Sequence, residues 1–356
     1  MPPSKLLDIP TGAVGKVRIL YDFVTEAEER FLLDKIAAAG GDSPADEASA
    51  GGTTAAGSAG QGAASSSSSG GGGAAGTKAG KAWGWKELNG RRSMYWGGTL
   101  LPSSGSLVPA PFPSFMDGQW PDVLGLIAET GVYDEWTGGS GKGKERGPNH
   151  CLVNEYLPSQ GILPHTDGPA YLPCTTTLSL GSHTVLCLRS KPAHLTPFSS
   201  SAPNPSPSTT ATTSTDADDN DQPPSSAAPS TDEIQKIDLF LPPRSLLVLT
   251  GDLYSNWLHG IQPLPSDSSE VLKGCANWEG WWKWQAIRAA ASPAAGDEVA
   301  GEGGVEESGV KAVDTNEEVE KRRKLVEAGH GWERGKRVSL TCRRVAKVRK
   351  GLFKLG

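Results

Sequence analysis

The segment Arg337-Val338-Ser339-Leu340-Thr341-Cys342-Arg343 alternates polar and apolar residues throughout. A period of two belongs to an extended chain, so Arg337, Ser339, Thr341 and Arg343 line one face of a strand while Val338, Leu340 and Cys342 line the other. The polar face has two readings. It is either the outside of an edge strand in solvent or the wall of a site for a small dianion, because guanidinium offers bidentate donors to carboxylate and keeps its charge when desolvated.

Leu152-Val153-Asn154-Glu155-Tyr156, Thr175 to Leu180, Thr184 to Leu188, Ser245 to Thr250 and Arg337 to Val345 are short and rich in β-branched residues, as strands of an antiparallel sandwich would be. Helical candidates are few and lie outside this series, so a double-sheet jelly roll fits better than a βαβ array. Val17-Arg18-Ile19-Leu20-Tyr21-Asp22-Phe23 reads as a strand. Thr25-Glu26-Ala27-Glu28 follows with capping-box spacing ahead of Phe31, Leu32 and Ile36, and the helix it starts ends at Gly40-Gly41. The expected class is mainly β with flanking helices, a double-stranded β-helix carrying low-complexity insertions.

Residues 41–81 are Gly, Ala and Ser almost throughout, and 197–232 are Pro, Ser, Thr and Asp. Such tracts bury too little apolar area to offset the entropy of ordering and are expected to be disordered insertions. A third segment, 263–335, holds Trp278, Trp281, Trp282 and Trp284, then an acidic run, then a charged helical candidate from Asn316 to Ala328. It is expected to be mostly disordered, with its tryptophans packed on the domain rather than stacking bases. Without the three segments roughly 210 residues remain, an ordinary size for one all-β domain. Its pieces are an N-terminal strand and helix at 14–40, the first part of the roll at 82–196, a further strand at 233–262, and a C-terminal strand with a basic tail at 336–356.

The formal net charge of -6 is not that of a general nucleic-acid binder, yet from Arg334 to the end there are nine Lys or Arg and no acid. That stretch is either a local phosphate-binding stripe or a solvated tail. Five cysteines, an odd number without CxxC spacing, indicate neither a disulfide framework nor a structural zinc site and fit a reducing compartment. Met1-Pro2-Pro3-Ser4-Lys5 leads into no apolar signal region, and nowhere do about 18 apolar residues run together. A soluble, intracellular, monomeric protein without membrane partners is expected.

His165-Thr166-Asp167 places two ligand types at i and i+2, which in an extended segment share one face. Alone, such a pair more often marks a turn hydrogen bond. His259 changes the balance, lying in Leu258-His259-Gly260-Ile261 just beyond the apolar strand Ser245 to Thr250. Two His and one carboxylate make a facial triad with three open positions, the arrangement of non-haem Fe(II) oxygenases, whose oxygen and chelating co-substrate need those positions. Asn154 and Tyr156, again two apart, are either neutral donors to the same site or a structural amide and a core tyrosine.

In this order the pieces resemble the AlkB family, whose pattern runs Asn-x-Tyr, a glycine, His-x-Asp, a distal His and Arg-x-(Asn or Ser)-x-Thr-x-Arg. Here it reads Asn154-Glu155-Tyr156, Gly161, His165-Thr166-Asp167, His259 and Arg337 to Arg343, and it covers nearly all of the chain outside the insertions. The resemblance to the family's sixth homologue of animals and plants extends through Trp85 to Gly98 as well. The resemblance implies that His165, Asp167 and His259 ligate Fe(II), and that 2-oxoglutarate chelates it. Arg337, Asn154 and Tyr156 would hold the distal carboxylate, with Arg343 near the chelating end. Oxygen would then be used to give succinate, carbon dioxide and a hydroxylated methyl group, lost as formaldehyde when the methyl sits on nitrogen. Ser339 stands where many members have Asn, which weakens its expected contact to the co-substrate.

The resemblance places Trp83 to Trp96 at the position of a nucleotide-recognition lid. There Trp85, Tyr95 and Trp96 would stack a flipped base of RNA or DNA and Arg91 and Arg92 would meet phosphates, unless the segment is simply a hairpin over the barrel mouth. Tyr171 either faces the pocket or belongs to the core, and His150 and His183 are expected to be structural. A hydroxylase or demethylase of protein is the second reading, although a prolyl-hydroxylase relative would carry Lys in place of Arg337. A non-enzymatic RNA-binding protein is the third, and a full ligand set argues against it. Lys321-Arg322-Arg323-Lys324 is either a nuclear signal or a solvated helix face, so nucleus and cytoplasm both stay open.

Deleting residues 45–78 and 199–230 should leave the melting temperature and iron binding nearly unchanged, because lengthening a surface loop costs only about 0.6 kcal/mol per doubling. Thermal melts and iron titration of the shortened chain check this. Loss of soluble, iron-binding protein would overturn the domain map.

Overall fold

The computed structural model describes residues 6–11, 16–42, 83–137, 143–191, 234–291 and 316–349, the side chains of 291 and 316–318 excepted. The low-complexity tracts from 43 and at 197–232, the acidic run within 292–315 and the tail beyond 349 lie outside the described residues. The strands, in chain order, are β1 (Leu7–Ile9), β2 (Lys16–Leu20), β3 (Lys86–Leu88), β4 (Arg91–Trp96), β5 (Gly98–Leu101), β6 (Ser106–Pro109), β7 (His150–Tyr156), β8 (Ile162–His165), β9 (Tyr171–Leu180), β10 (Thr184–Ser190), β11 (Lys236–Leu241), β12 (Leu246–Thr250), β13 (Trp257–Ile261), β14 (Ser266–Asp267), β15 (Trp332–Glu333) and β16 (Arg337–Val345). An eight-stranded sheet runs β1-β2-β12-β9-β16-β7-β4-β3, and a four-stranded sheet runs β11-β10-β13-β8. From β7 to β13 the chain crosses between these sheets at each step except the β10–β11 hairpin, and it returns to the large sheet at β16 after the separate β14–β15 pair. This is the wiring of a jelly roll, with β1–β2 and β3–β4 extending its large sheet at either edge.

Strand β16 lies between β7 and β9, so the edge-strand reading of its polar face does not hold. Arg337, Ser339, Thr341 and Arg343 lie opposite Tyr156, Asn154, Leu152 and His150 of β7. On the other side Ser339, Thr341 and Arg343 oppose Ser179, Thr177 and Thr175 of β9. Opposed residues of an antiparallel pair leave the sheet on the same side. That side faces the small sheet and encloses a cavity, walled on its apolar side by Leu186, Leu241, Leu247 and Leu249. The reverse side carries Val338, Leu340 and Cys342 with Val153, Leu178 and Val248, all buried against Leu32 and Ile36 of helix Glu26–Gly40 and Leu124 and Ile127 of helix Val123–Glu129.

Helix Glu26–Gly40 begins as its sequence predicts. Thr25 accepts from the Glu28 backbone N–H while the Glu28 carboxylate accepts from the Thr25 N–H, and Gly41 ends the helix in the left-handed conformation. Glu29, buried on the inner face, accepts from the Gly181 N–H at 2.8 Å and pairs with Arg244 at 3.1 Å. Burial raises its carboxyl above the ordinary range, with Arg244 and the Gly181 N–H acting in the opposite direction. The helix is thereby tied to the turn between β9 and β10.

The segment 263–335 departs from expectation. Its described parts, through residue 291 and again from 316, are ordered: helices Ser269–Gly274, Trp278–Ala291 and Asn316–Glu327 and the β14–β15 pair pack on the domain. Averaged composition misled here, because a few tryptophans bury enough area to order a charged segment. Phe240 points away from the cavity and meets the rings of Trp278, Trp281 and Trp332 at 5.1, 4.7 and 5.5 Å. The tryptophans thus cover the outer face of the small sheet. Asn277 closes its edge, since its amide oxygen accepts from Phe240 N–H at 2.8 Å and its amide nitrogen donates to Phe240 C=O at 2.6 Å. An open edge would otherwise offer these groups to another chain.

Trp281→Ala should cost about 3 to 5 kcal/mol, the usual price of truncating a buried aromatic, because Trp281 is 3% exposed amid four aromatic rings. Urea unfolding checks it. A loss under about 1 kcal/mol, the range of surface substitutions, would mean that this layer is not part of the core.

Candidate active site

His165 ends β8 and lies directly opposite His259 of β13, and Asp167 follows two residues on. One ligand atom from each of the three lies within 4.8 Å of the others. The two imidazole rings are 4.3 Å apart between centres. His165 Nδ1 lies 2.8 Å from the Leu163 carbonyl. A carbonyl only accepts, so Nδ1 carries the proton and Nε2 keeps its lone pair for a metal. Burial, with His165 and Arg343 nearby, lowers the His259 pKa to about 4 against the pull of Asp167, so this imidazole is neutral at pH 7, as a ligand must be. Gly161 allows this assembly to close: a Cβ there would lie 2.3 Å from the Ile261 carbonyl on β13.

Arg343 grips Asp167 with Nε to Oδ2 at 2.9 Å and Nη2 to Oδ1 at 2.6 Å. Its guanidinium also lies over the Tyr171 ring, 5.0 Å from the centre. Burial opposes its charge, but Asp167, Tyr171 and Tyr254 raise its pKa on balance. Arg337 presents the opposite case. It is 4% exposed, donates from Nη2 to Ser179 Oγ at 2.9 Å, and leaves Nε and Nη1 buried with no partner. Burial brings it down to about 10, with no carboxylate to oppose the fall. Unsatisfied donors on a buried cation mark the place of an anion. A small dicarboxylate reaching from Arg337 toward the His/Asp/His cluster fits the cavity's chemistry, with Asn154, Tyr156, Ser339 and Thr341 also lining it. The residues present therefore fit both a divalent metal and a chelating dicarboxylate.

The six residues proposed from the sequence for substrate divide by the parity of β4 and its neighbours. Ser93 opposes Asn154 and Arg92 opposes Glu155. Arg91, Ser93 and Tyr95 therefore share the cavity side, while Arg92 and Trp96 leave on the reverse. Arg92 is bound to Glu155 at 2.7 Å and Asp42 at 2.6 Å and lies over the Trp85 ring at 4.5 Å, so it is not a free phosphate clamp. Trp96 is wholly buried against Phe115, and Trp85 donates to Asp42, so neither stacks a substrate base here. Arg91 donates to Asn154. Tyr95 remains exposed. Its ring stacks on His150 at 5.4 Å, and His150 stacks in turn on Tyr171 at 5.9 Å. Tyr171 thus faces the pocket side through Arg343, and its hydroxyl is 2.9 Å from His150 Nδ1. His150 is buried and, by burial and the Arg343 charge, lowered to about 4. His183 is buried 3.2 Å from Asp267, remote from the triad in the Trp332 layer. Thr175 and Thr177, which line the cavity, and Ser179 and His150, on the same side of the sheet by register, were not placed there by the sequence reading. The alternation of Thr175, Thr177 and Ser179, and the even spacing of His150 from Asn154, carried the signal.

No protein-family model matches the chain. A protein of Danio rerio described as a probable RNA/DNA demethylase, ALKBH6, is 30% identical to it over 184 residues, 51% of this chain and 59% of that protein. The chain thus spans about three-fifths of that curated relative. A solved structure of OsALKBH1 aligns over 95% of this chain and 99% of its own at 14% identity, with a TM-score of 0.36 that is too low to bear on the fold.

The two arginines predict opposite responses in metal-free protein. Arg337→Leu removes a buried, half-satisfied charge and should leave the melting temperature unchanged or higher, whereas Arg343→Leu strands the Asp167 carboxylate and should cost about 3 to 5 kcal/mol. Thermal melts in chelator read both. Equal destabilisation would show that Arg337 has a partner in the empty protein.

Proposed function

We propose that this chain, an AlkB-family protein by its motif and its curated relative, is an Fe(II)- and 2-oxoglutarate-dependent dioxygenase that removes N-methyl groups from nucleic acid. The observation that carries the reading is Arg337, a buried guanidinium with two unsatisfied nitrogens on the same strand face as the arginine that grips the candidate metal ligand. His165, Asp167 and His259 would hold the metal, Arg337 with Asn154 and Tyr156 the distal carboxylate of 2-oxoglutarate, and Arg343 the neighbourhood of its chelating end. Iron, 2-oxoglutarate and dioxygen together supply the oxidising power, yielding succinate and carbon dioxide, with formaldehyde released from a hydroxylated N-methyl group.

The protein's own part is electrostatic and steric. Leu163 fixes the His165 tautomer, and Arg343 fixes the Asp167 carboxylate through both oxygens, leaving the remaining lone pairs for a metal. Leu186, Leu241, Leu247 and Leu249 give the cavity an apolar wall, and a low-dielectric boundary strengthens each charge-assisted bond inside it. Tyr95, open on one side of the Tyr95–His150–Tyr171 stack, offers a platform for an unpaired base. Arg92 is engaged elsewhere, so affinity for single-stranded substrate should lean on stacking more than on an Arg92–phosphate contact.

Succinate formation measured side by side with methylated RNA, methylated DNA and methylated peptides tests the substrate class. Turnover with peptide alone would replace this reading by protein hydroxylation or demethylation. His165→Ala and Asp167→Asn, the latter keeping an acceptor for the buried Arg343, should abolish 2-oxoglutarate turnover in a folded protein, and undiminished succinate from either would remove the triad.

Arg337→Leu should weaken 2-oxoglutarate binding by at least about a hundredfold, the equivalent of leaving a buried carboxylate unpaired. Arg344 leaves β16 on the reverse side and donates to the Gly147 carbonyl, so Arg344→Leu should stay within about threefold of the parent. Anaerobic calorimetry measures both. Equal losses would refute the assignment of faces.

A further inference from the structure

Arg91 and Asn154 meet at the end of the cavity where Tyr156 and Arg337 sit, and the contact has a definite polarity. Arg91 Nε donates to Asn154 Oδ1 at 3.1 Å. Guanidinium has donors only, so the amide atom facing Arg91 must be the oxygen, and the amide nitrogen is turned the other way. Asn154 is 4% exposed, lines the cavity and lies across from Ser339 on β16. The two orientations of a carboxamide have nearly the same shape, and packing alone selects poorly between them. They differ completely toward an anion. With nitrogen inward Asn154 donates to a carboxylate, and with oxygen inward it repels one.

We infer that Arg91 is a positioning residue for co-substrate binding, holding the Asn154 amide so that its nitrogen faces the 2-oxoglutarate carboxylate held by Arg337. The inference rests on the reading of the cavity as a 2-oxoglutarate site. It gives the β3–β4 hairpin a role different from clamping substrate phosphates. Arg92 stitches the hairpin to the sheet on the reverse side through Glu155 and Asp42, and Arg91 uses the fixed hairpin to set one amide on the cavity side.

A double-mutant cycle on the full chain tests it, with the dissociation constant of 2-oxoglutarate measured by anaerobic calorimetry in the presence of Mn(II) and folding followed by thermal melts. Arg91→Met and Asn154→Ala should each weaken binding about tenfold. The double variant should be little worse than Asn154→Ala alone, because the first residue acts through the second. Arg91→Lys, which keeps a donor and a charge, should recover most of the affinity. Arg91→Leu takes the place of the methionine variant in the cycle if that variant melts early. Losses that multiply in the double variant, or no loss from Arg91→Met, would overturn the inference while leaving the co-substrate site intact. A parent protein that binds no 2-oxoglutarate would instead bring down the proposed function, and this inference with it.

Discussion

Strand β16 is hydrogen-bonded along both edges, to β7 and to β9, so its side chains can leave the sheet in only two directions. The polar wall of the cavity follows from that constraint. Alternation sends Val338, Leu340 and Cys342 into the helix-backed core and Arg337, Ser339, Thr341 and Arg343 into the cavity, and the cross-strand register copies the division onto β7, β9 and β4. A shift of one residue would exchange the two sets and bury four polar side chains in an apolar layer. Packing of the hydrophobic side therefore fixes the functional side to the same accuracy.

Within the cavity the two arginines divide the electrostatic work. Arg343 is neutralised inside the protein by Asp167, and the pair forms one end of the site. Arg337 has no carboxylate partner and is kept in a low-dielectric place by the surrounding sheet, which amounts to stored attraction for a negative group of matching length. Fold stability bears the cost of that second charge, a common arrangement where a site is organised before its ligand arrives.

Most of this was legible from the chain alone. Period-two runs located the central strands, and the capping box at Thr25 located the start of the first helix. The His165, Asp167 and His259 spacing made sense once an extended segment was assumed, and the structure brings all three together. Two things were not read correctly. The tryptophans pack on the domain as expected, but their segment was taken as mostly disordered because low average hydropathy hides a few large rings that order everything around them. The lid residues were taken as a group because they mix aromatic and basic side chains. Applying the same alternation to β4 would have separated Arg91 and Tyr95 from Arg92 and Trp96, but which parity faced inward depends on its pairing with β7, and register is a long-range property.

The four-stranded sheet ends in β8, an edge strand of four residues whose recorded pairing with β13 consists of His165 against His259 and Ile162 against Ile261, with an irregularity between them. Leu163 is 83% exposed and Pro164 brings no N–H to the ladder. So short and interrupted an edge belongs at the low end of the local-unfolding scale, while β16, paired on both sides, belongs at the top. A metal ion bridging His165 and His259 would act as a staple across that weak seam. Amide hydrogen exchange at Ile162, Leu163 and His165 would then slow on metal binding far more than exchange in β16. The edge strand becomes a built-in reporter of occupancy that needs neither substrate nor turnover.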